Sequence, residues 1–352
     1  MKAQKLEEPP RLSAEAALET LRGAGEMQDA GLRVQERLAS VQEILAGELS
    51  WIESTLAEAA ADGPAPGTDA AKHLVARGGK RIRPIALLLA SACFGPVPAR
   101  ARELAVVAEL VHSATLLHDD VIDDGQERRG APASRLLWGN AVSVLGGDLL
   151  LVQALDRTAR HAPELMPELI TTLRRLVEGE IVQLRGRVEL DVSEATYERI
   201  LRDKTASLFA WATRTGASVA GATPEQQDRL ATFGERLGIA FQLVDDVLDY
   251  TSDSTGKTLL ADLREGKLTL PLVLAVARKP ELITPLRRLY AGDREPVVAV
   301  SRAVIDSGAC DEAQSRAAAY TREAIDALSA VRPSPARHLL EDVARQLAAR
   351  VS

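Results

Sequence analysis

Apolar residues recur every three or four positions along most of this chain, which is the spacing of one face of an α-helix. The alternation of apolar and polar residues that is typical of strands is scarce. The first clear amphipathic helix is predicted over residues 41–61, and a loop follows at residues 62–68, which read Asp-Gly-Pro-Ala-Pro-Gly-Thr. The pattern therefore predicts an all-α protein.

Longer apolar stretches predict buried helices further along the chain. One starts at Pro84, since proline is common at the start of a helix. Others are predicted over residues 104–124, 138–160 and 168–185. Residues 1–40 differ, because they are polar and are interrupted by prolines and glycines, so we predict a partly helical N-terminal extension there.

Composition limits the class of protein. With 352 residues, 46% hydrophobic content and 26% charged residues, the chain can bury a large core. Its net charge of −7 disfavours nucleic acid as a partner. Cys93 and Cys310 are too few for a disulfide framework, so a reduced, cytoplasmic protein is expected. The longest apolar run, residues 85–94, is about half of a membrane span, and residues 1–25 lack the apolar core of a secretory signal, so no transmembrane segment is predicted.

An acidic cluster ends the helix predicted over residues 104–124. Asp119 and Asp123 are four residues apart and point the same way on a helix, with Asp120 beside them. Carboxylates this close repel each other unless a cation lies between them, and oxygen-only ligands favour Mg²⁺. A single cluster of this kind is more often a solvated helix end.

A second cluster makes the functional interpretation stronger. Asp245, Asp246 and Asp249 repeat the pattern Asp-Asp-x-x-Asp inside an apolar stretch, and Gln242 precedes them by one turn on the same face. Burial of such a triplet is costly unless a cation or a partner neutralises it. The two clusters predict two helices that face each other across a cavity, with several metal ions and a strongly anionic ligand, such as diphosphate, between them.

Basic residues accompany both clusters. Residues 78–84, Gly-Gly-Lys-Arg-Ile-Arg-Pro, put three cations at a helix start, where an anion is favoured, although a basic surface turn explains this motif equally well. Arg128 and Arg129 follow the first cluster, and guanidinium groups bind phosphate in a bidentate manner. Lys204 either extends to solvent or binds an anion, and Lys257 and Lys267 follow glycines in loops that could close over diphosphate.

Together these motifs resemble those of the trans-isoprenyl diphosphate synthases, also called polyprenyl synthetases, and most of all the medium- and long-chain synthases. The resemblance covers about residues 41–275 and is carried, in family order, by residues 78–84, 112–129, 147–148, 204–206, 241–250, 256–257 and 262–271. It implies an isoprenoid-synthase-type helical bundle around a central active-site cavity, built by residues 41–352 as one domain.

The resemblance also implies site roles. Asp119, Asp120, Asp123, Asp245 and Asp249 are expected to hold three Mg²⁺ ions together with diphosphate, while Asp246 and Lys204 are expected to take part in catalysis. Lys80, Arg83 and His112 are expected to bind the diphosphate of isopentenyl diphosphate. Arg128 is expected to face the allylic diphosphate and Arg129 the homoallylic one. Further substrate contacts are predicted for Arg81, Lys204, Thr205, Gln242, Lys257 and Lys267.

The implied reaction condenses isopentenyl diphosphate with an allylic diphosphate. Ala114 and Thr115, one turn before the first cluster, are small where short-chain members tend to carry aromatics, which predicts a hexaprenyl to decaprenyl product for a ubiquinone or menaquinone side chain. A geranylgeranyl or farnesyl diphosphate synthase, a terpene cyclase and a non-catalytic subunit of a heteromeric synthase are the alternatives. A homodimer is the family expectation, and a long product would associate the protein loosely with membranes.

Overall fold

The structure is a computed structural model that describes residues 31–251 and 260–348. Within these ranges the chain is almost entirely helical, with one short hairpin. The chain divides into two compact units, residues 1–85 with 102–163 and residues 86–101 with 164–352. The predicted fold class is therefore correct, and the prediction of one domain over residues 41–352 stays a prediction.

The elements of the first part of the chain are α1 Gly31–Ala61, α2 Gly67–Val75, α3 Ile82–Ala92, α4 Ala99–Ile122, β1 Glu127–Arg128, β2 Ala131–Pro132, α5 Ser134–Trp138 and α6 Asn140–His161. Those that follow are α7 Met166–Glu189, α8 Glu194–Ile200, a π-helical segment Leu201–Ala206, α9 Ser207–Val219, α10 Pro224–Thr251, α11 Ala261–Glu265, α12 Leu270–Arg278, α13 Ile283–Tyr290, α14 Val297–Asp306, α15 Ala309–Ala327 and α16 Pro335–Ala348.

Helix α1 begins ten residues before its predicted start. Residues 31–40 contain Leu, Arg, Gln, Glu and Ala, which are good helix formers, and their apolar positions continue the spacing of the residues that follow. Helix α1 thus includes residues 31–40, while residues 1–30 of the predicted extension lie outside the described part of the chain, so the extension stays a prediction. The helix predicted at Pro84 starts at Ile82, and the loop between α1 and α2 lies where it was predicted.

A short β-hairpin follows α4 in the first unit. Its two strands pair antiparallel, with Arg128 opposite Ala131, so only Arg129 and Gly130 form the turn. Both turn residues have positive φ, +54° and +72°, as a two-residue hairpin turn of type I′ requires. Arg129 is therefore held in a left-handed conformation that a non-glycine residue seldom adopts.

In the second unit α10 is the central helix. It packs against α9 on one side and α15 on another. The buried cluster around it includes Leu243, Val247, Leu272 and Val300. No helix among the described residues is long and apolar enough to span a bilayer.

Candidate active site

The first acidic cluster lies at the C-terminal end of α4. The Asp120 side chain is almost fully buried, with its residue 1% exposed, and its Oδ1 accepts hydrogen bonds from Arg128 Nε at 2.8 Å and Nη2 at 2.7 Å. The turn at Gly125, whose N–H donates to the Asp120 carbonyl at 2.9 Å, brings β1 back beside the helix. Asp120, a predicted metal ligand, and Arg128, a residue predicted to bind phosphate, thus hold each other in place.

Asp119 and Asp123 stay on one turn of this helix. The Asp123 N–H donates to the Asp119 carbonyl at 2.8 Å, so the helical turn continues just past Ile122. Asp124 has left the helix with φ +53°, and its exposed carboxylate pairs with Arg135 at 2.7 Å. The predicted cluster therefore separates into three carboxylates of the helix end and one that faces solvent.

A divalent cation fits the chemistry of these donors. Within residues 31–251 and 260–348, no three His, Cys, Asp or Glu side chains gather closely enough to enclose an ion by themselves. Mg²⁺ in phosphate-handling sites is typically bound by one or two carboxylates, with phosphate oxygens and waters completing its shell. The carboxylates at the end of α4 are thus suited to an ion that arrives with diphosphate.

The basic segment at the start of α3, residues 80–83, contributes one buried and two more accessible cations. Arg81 is 2% exposed, and it pairs with Glu53 through Nε at 2.7 Å and Nη2 at 2.9 Å, and with Glu109 through Nη1 at 2.5 Å. Lys80 is exposed and Arg83 half-buried. Two carboxylates of the protein thus bind the Arg81 guanidinium group, and its substrate contact stays a prediction.

His112 and Arg129 complete the basic region of the first unit. Arg129 Nη1 donates to the carbonyls of Gly78 and, at 3.3 Å, of Leu74. Burial and the surrounding arginines lower the pKa of His112 well below its ordinary value, and burial lowers the pKa of Arg83 to about 10. Several cations thus share a partly desolvated region, where an anionic ligand would relieve their mutual repulsion.

The second acidic cluster lies near the C-terminal end of α10. Asp246 is 3% exposed, and its Oδ2 accepts hydrogen bonds from the Tyr197 hydroxyl at 2.7 Å and the Leu270 N–H at 3.0 Å. Its Oδ1 accepts a hydrogen bond from Gln242 Nε2 at 2.9 Å, and burial raises the pKa of Asp246 to about 7. Asp246 thus joins α10 to α8 and α12, which leaves Asp245 and Asp249 as the candidate metal ligands here.

Lys204 and Thr205 lie on the π-helical segment, a feature that is frequent at functional sites. Lys204 pairs with Glu180 on α7, and Thr205 Oγ1 donates to Gln242 Oε1 at 3.3 Å. A Cβ atom at Gly179 would lie 2.7 Å from the Lys204 backbone nitrogen, so only glycine permits this approach of α7. The structure brings Lys204, Thr205 and Gln242 into one region of the second unit.

The remaining predicted residues are two lysines, Lys257 and Lys267, and the pair Ala114 and Thr115. Lys267, between α11 and α12, pairs with Glu265 at 2.7 Å and lies 3.8 Å from Asp262. Lys257 lies outside the described residues. Ala114 is buried in α4, and Thr115 Oγ1 donates to the His112 carbonyl at 2.8 Å, one turn before the first cluster.

Four site neighbours escaped the sequence analysis: Glu53, Glu109, Glu180 and Tyr197. Glu109 carried a usable signal, because it is an acidic residue in an otherwise apolar part of a helix and lies three residues before the predicted ligand His112. Glu180 carried a weaker one, since Glu178 and several arginines surround it in the sequence. Glu53 and Tyr197 carried none, since their partners lie 28 and 49 residues away.

An all-α fold with two aspartate-rich helix ends, each accompanied by basic side chains, is typical of the isoprenoid synthase class. The sequence profile of the family described as polyprenyl synthetase matches residues 67–306. The chain belongs to this family and is a prenyltransferase, as the motifs predicted.

The proteins similar to this chain include both long-chain and short-chain synthases. The chain is 38% identical over 282 residues to an all-trans-nonaprenyl-diphosphate synthase (geranyl-diphosphate specific) of Rhodobacter capsulatus, covering 78% of this chain and 86% of that protein. It is 35% identical over 284 residues to a short chain isoprenyl diphosphate synthase of Methanothermobacter thermautotrophicus, covering 78% and 87%.

A solved structure extends the similarity to the fold. The polyprenyl synthase of Caulobacter crescentus, complexed with calcium and isoprenyl diphosphate, aligns with a TM-score of 0.82 and 35% identity over 90% of this chain and 98% of that one. The predicted isoprenoid-synthase fold is confirmed by this likeness.

Proposed function

We propose that this chain condenses isopentenyl diphosphate with an allylic diphosphate to make a medium- or long-chain polyprenyl diphosphate, hexaprenyl to decaprenyl, of the kind used in quinone side chains. The observation that carries the reaction is the pair of Asp-Asp-x-x-Asp helix ends, one on α4 and one on α10. The terpene cyclase alternative is disfavoured, because cyclases typically replace the second motif with a different metal-binding pattern.

Asp119, Asp120, Asp123, Asp245 and Asp249 would hold Mg²⁺, as three ions bound together with diphosphate. When bound, Mg²⁺ supplies positive charge that favours departure of the diphosphate. The use of oxygen donors alone in both clusters supports a hard cation.

The protein side chains would contribute orientation and charge. Arg128, Lys204 and Lys267 would bind the allylic diphosphate and stabilise its negative charge as the C–O bond breaks. Lys80, Arg83, His112 and Arg129 would hold isopentenyl diphosphate so that its double bond attacks the allylic carbon. A proton then leaves the new chain, with the released diphosphate as its acceptor. Lys257, which lies outside the described residues, would be a further diphosphate contact, while Thr205 and Gln242 would orient Lys204 and the allylic group.

Product length depends on the space before the first cluster. Ala114 is 2% exposed, and its methyl group and the Thr115 side chain are both smaller than an aromatic ring. Their size supports the longer product, as does the likeness to the nonaprenyl synthase. The similar identity to a short-chain enzyme makes a geranylgeranyl or farnesyl diphosphate synthase the second candidate.

Product analysis tests both parts of the proposal. The purified chain is incubated with Mg²⁺, labelled isopentenyl diphosphate and farnesyl diphosphate, and the dephosphorylated products are sized by mass spectrometry. Chains of at least hexaprenyl length support the proposal, and geranylgeranyl as the longest product rejects the length. No elongation by folded protein with metal rejects the activity of this chain alone and favours the partner-subunit alternative.

The variant Ala114→Phe sharpens the length test. Because the phenyl ring would fill the space one turn before Asp119, we expect a product shorter than that of the wild type. Ala99→Phe is the control, since Ala99 is exposed at the opposite end of α4. An unchanged product from Ala114→Phe would remove Ala114 from the chain-length site.

We also propose a homodimer in the cytoplasm, associated loosely with membranes through its product. Helix α7 exposes Ile170, Val177, Ile181 and Val188, which are spaced seven, four and seven residues apart and form one apolar stripe. Exposed apolar stripes of this kind favour association with another surface, and a second copy is the partner that the family expectation supplies.

A further inference from the structure

We propose that Glu109 is a positioning residue of the pocket for the diphosphate of isopentenyl diphosphate, and that Arg81 belongs to the support of this pocket rather than to its substrate contacts. The inference rests on the proposed function, because it assigns a role within the same site. It follows from the arrangement of Glu109, Glu53, Arg81 and Arg129 in the first unit.

Glu109 is a buried carboxylate among guanidinium groups. It lies on α4 one turn before His112, and it is 2% exposed. Its Oε1 is 2.5 Å from Arg81 Nη1 and 3.8 Å from Arg129 Nη2. Its charge also opposes the loss of the Arg83 proton, since it acts to raise the pKa that burial lowers. One carboxylate therefore interacts with three arginines of the basic region.

Arg81 links this carboxylate to α1. Its guanidinium group is bound on the other side by both oxygens of Glu53, at 2.7 and 2.9 Å. The Arg81 backbone has φ +47°, a left-handed conformation that costs energy for a residue with a side chain. The two ion pairs offset this cost and fix the turn, so Lys80 and Arg83, on either side of Arg81, are held in a defined orientation.

The Arg129 guanidinium group also contacts the segment before α3. Its turn conformation places Nη1 against the Gly78 carbonyl, and a Cβ atom at Gly79 would lie 2.9 Å from Nη2. The hairpin and the segment before α3 are thus in contact through the Arg129 guanidinium. Glu109 lies beside Arg81 and Arg129. Its negative charge holds the two segments together although both segments are positively charged.

Removal of the Glu109 charge should loosen the proposed pocket for isopentenyl diphosphate and leave the proposed allylic pocket unchanged. Without Glu109, Arg81, Arg83 and Arg129 repel each other in a poorly solvated region, and the segments that carry them separate. The proposed allylic contacts Arg128, Lys204 and Lys267 pair with other carboxylates, those of Asp120, Glu180 and Glu265. The effect should therefore fall mainly on the KM for isopentenyl diphosphate.

Steady-state kinetics of the full-length enzyme test the inference. For Glu109→Gln we expect the KM for isopentenyl diphosphate to rise about 10- to 100-fold, the range seen when partners that orient site ligands are removed. The KM for farnesyl diphosphate should change less than about threefold, within the spread of neutral surface changes. Glu103→Gln is the matched control, because Glu103 lies on the same helix and pairs with Arg157 at 2.6 Å.

Arg81 is tested by a double-mutant cycle. If Arg81 acts with Glu109, Arg81→Met alone also raises the KM for isopentenyl diphosphate, and the double variant is no worse than the poorer single variant. If Arg81 contacts the substrate independently, the two increases multiply, and its assignment to the support is wrong. Glu53→Gln provides a milder variant in case Glu109→Gln fails to fold, with a smaller rise of the same KM expected.

The outcomes separate this inference from the proposed function. A wild-type protein without elongation activity rejects the proposed function before any variant is compared. An active wild type, with equal changes of both KM values in folded Glu109→Gln or Glu53→Gln, rejects the positioning role. A selective rise for isopentenyl diphosphate, partly restored in Glu109→Asp, supports it.

Discussion

At the scale of single residues, burial and hydrogen bonding distinguish the acidic groups of the two clusters. Asp120 is held by Arg128, and Asp246 by Tyr197, Gln242 and the Leu270 N–H. Asp119 and Asp245 are the more accessible carboxylates of their clusters. These two are the residues at which loss of charge should affect the reaction most directly.

We expect Asp119→Asn to lower kcat by about 10²- to 10³-fold, the typical effect of removing one group that stabilises charge in the transition state. The apparent Mg²⁺ requirement should rise as well, because an amide is a weaker ligand than a carboxylate. Initial rates over a Mg²⁺ titration provide the measurement. Asp124→Asn is the control, since Asp124 faces solvent and pairs with Arg135. Equal activity of the two variants would contradict the role of Asp119.

His112 gives a pH dependence of known sign. Burial and the nearby arginines hold its pKa well below the ordinary value of 6.5, so the folded protein excludes a proton that the unfolded chain binds in acid. Its contribution to the free energy of unfolding is therefore constant above about pH 6.5 and falls by about 1.4 kcal/mol for each pH unit below it.

Urea denaturation from pH 5 to 8, in the absence of substrate, measures this effect. His112→Gln should flatten the decline between pH 5 and 6.5. His338→Gln, an exposed change on α16, should retain the slope of the wild type. If His112→Gln also retains it, another group causes the decline.

The acidic and basic motifs could be predicted from the sequence, because their residues are neighbours along one helix or one turn. Helical spacing alone brings Asp119 beside Asp123 and Asp245 beside Asp249. The partners of Arg81 and Asp246 could not, since Glu53 and Tyr197 reach them only through tertiary packing. The ion pair that occupies Arg81 is for this reason a finding of the structure.

At the scale of elements, the interrupted helix around Lys204 depends on its neighbour α7. The π-helical segment Leu201–Ala206 joins α8 to α9, and Gly179 lets α7 approach its backbone. The spacing of apolar residues does not predict this segment, because π-helical turns follow from packing rather than from residue preference.

We expect Gly179→Ala to lower the free energy of unfolding by about 1–3 kcal/mol, because a Cβ atom 2.7 Å from the Lys204 nitrogen forces the two elements apart. The displacement of Lys204 should also lower kcat about 10- to 100-fold. Thermal denaturation and initial rates are the measurements.

The matched control is Gly47→Ala in α1, where no atom lies within 4 Å of the added Cβ. This change should stabilise the protein by about 0.5–1 kcal/mol, because glycine is a poor residue inside a helix. Similar losses in both variants would mean that the approach at Gly179 is unimportant.

At the scale of the whole molecule, the negative net charge and the local basic groups act separately. The chain carries −7 overall, yet Arg81, Arg83, Arg128 and Arg129 together surround His112, where a diphosphate is expected. The composition could exclude classes of partner, but it held no information on how helices associate between copies.

We expect the double variant Val177→Asp, Ile181→Asp to convert a dimer into a monomer, because two charges would be buried in an apolar contact. Sedimentation velocity should give twice the chain mass for the wild type and a single chain mass for the variant. Thr171→Asp is the control, since Thr171 is exposed on α7 about 100° from the stripe. A dimer in both variants would move the interface away from α7.

The turn at Arg129 limits how this sequence can change. Position 129 combines a left-handed backbone, which Gly or Asn adopts at little cost, with a planar guanidinium group whose Nη1 donates to two carbonyls. Gly and Asn satisfy the first demand and not the second, so we expect this position to tolerate substitution poorly. At Ala114 and Thr115, the proposed chain-length positions, the backbone is regular helix, and we expect evolution to change residue size there more readily.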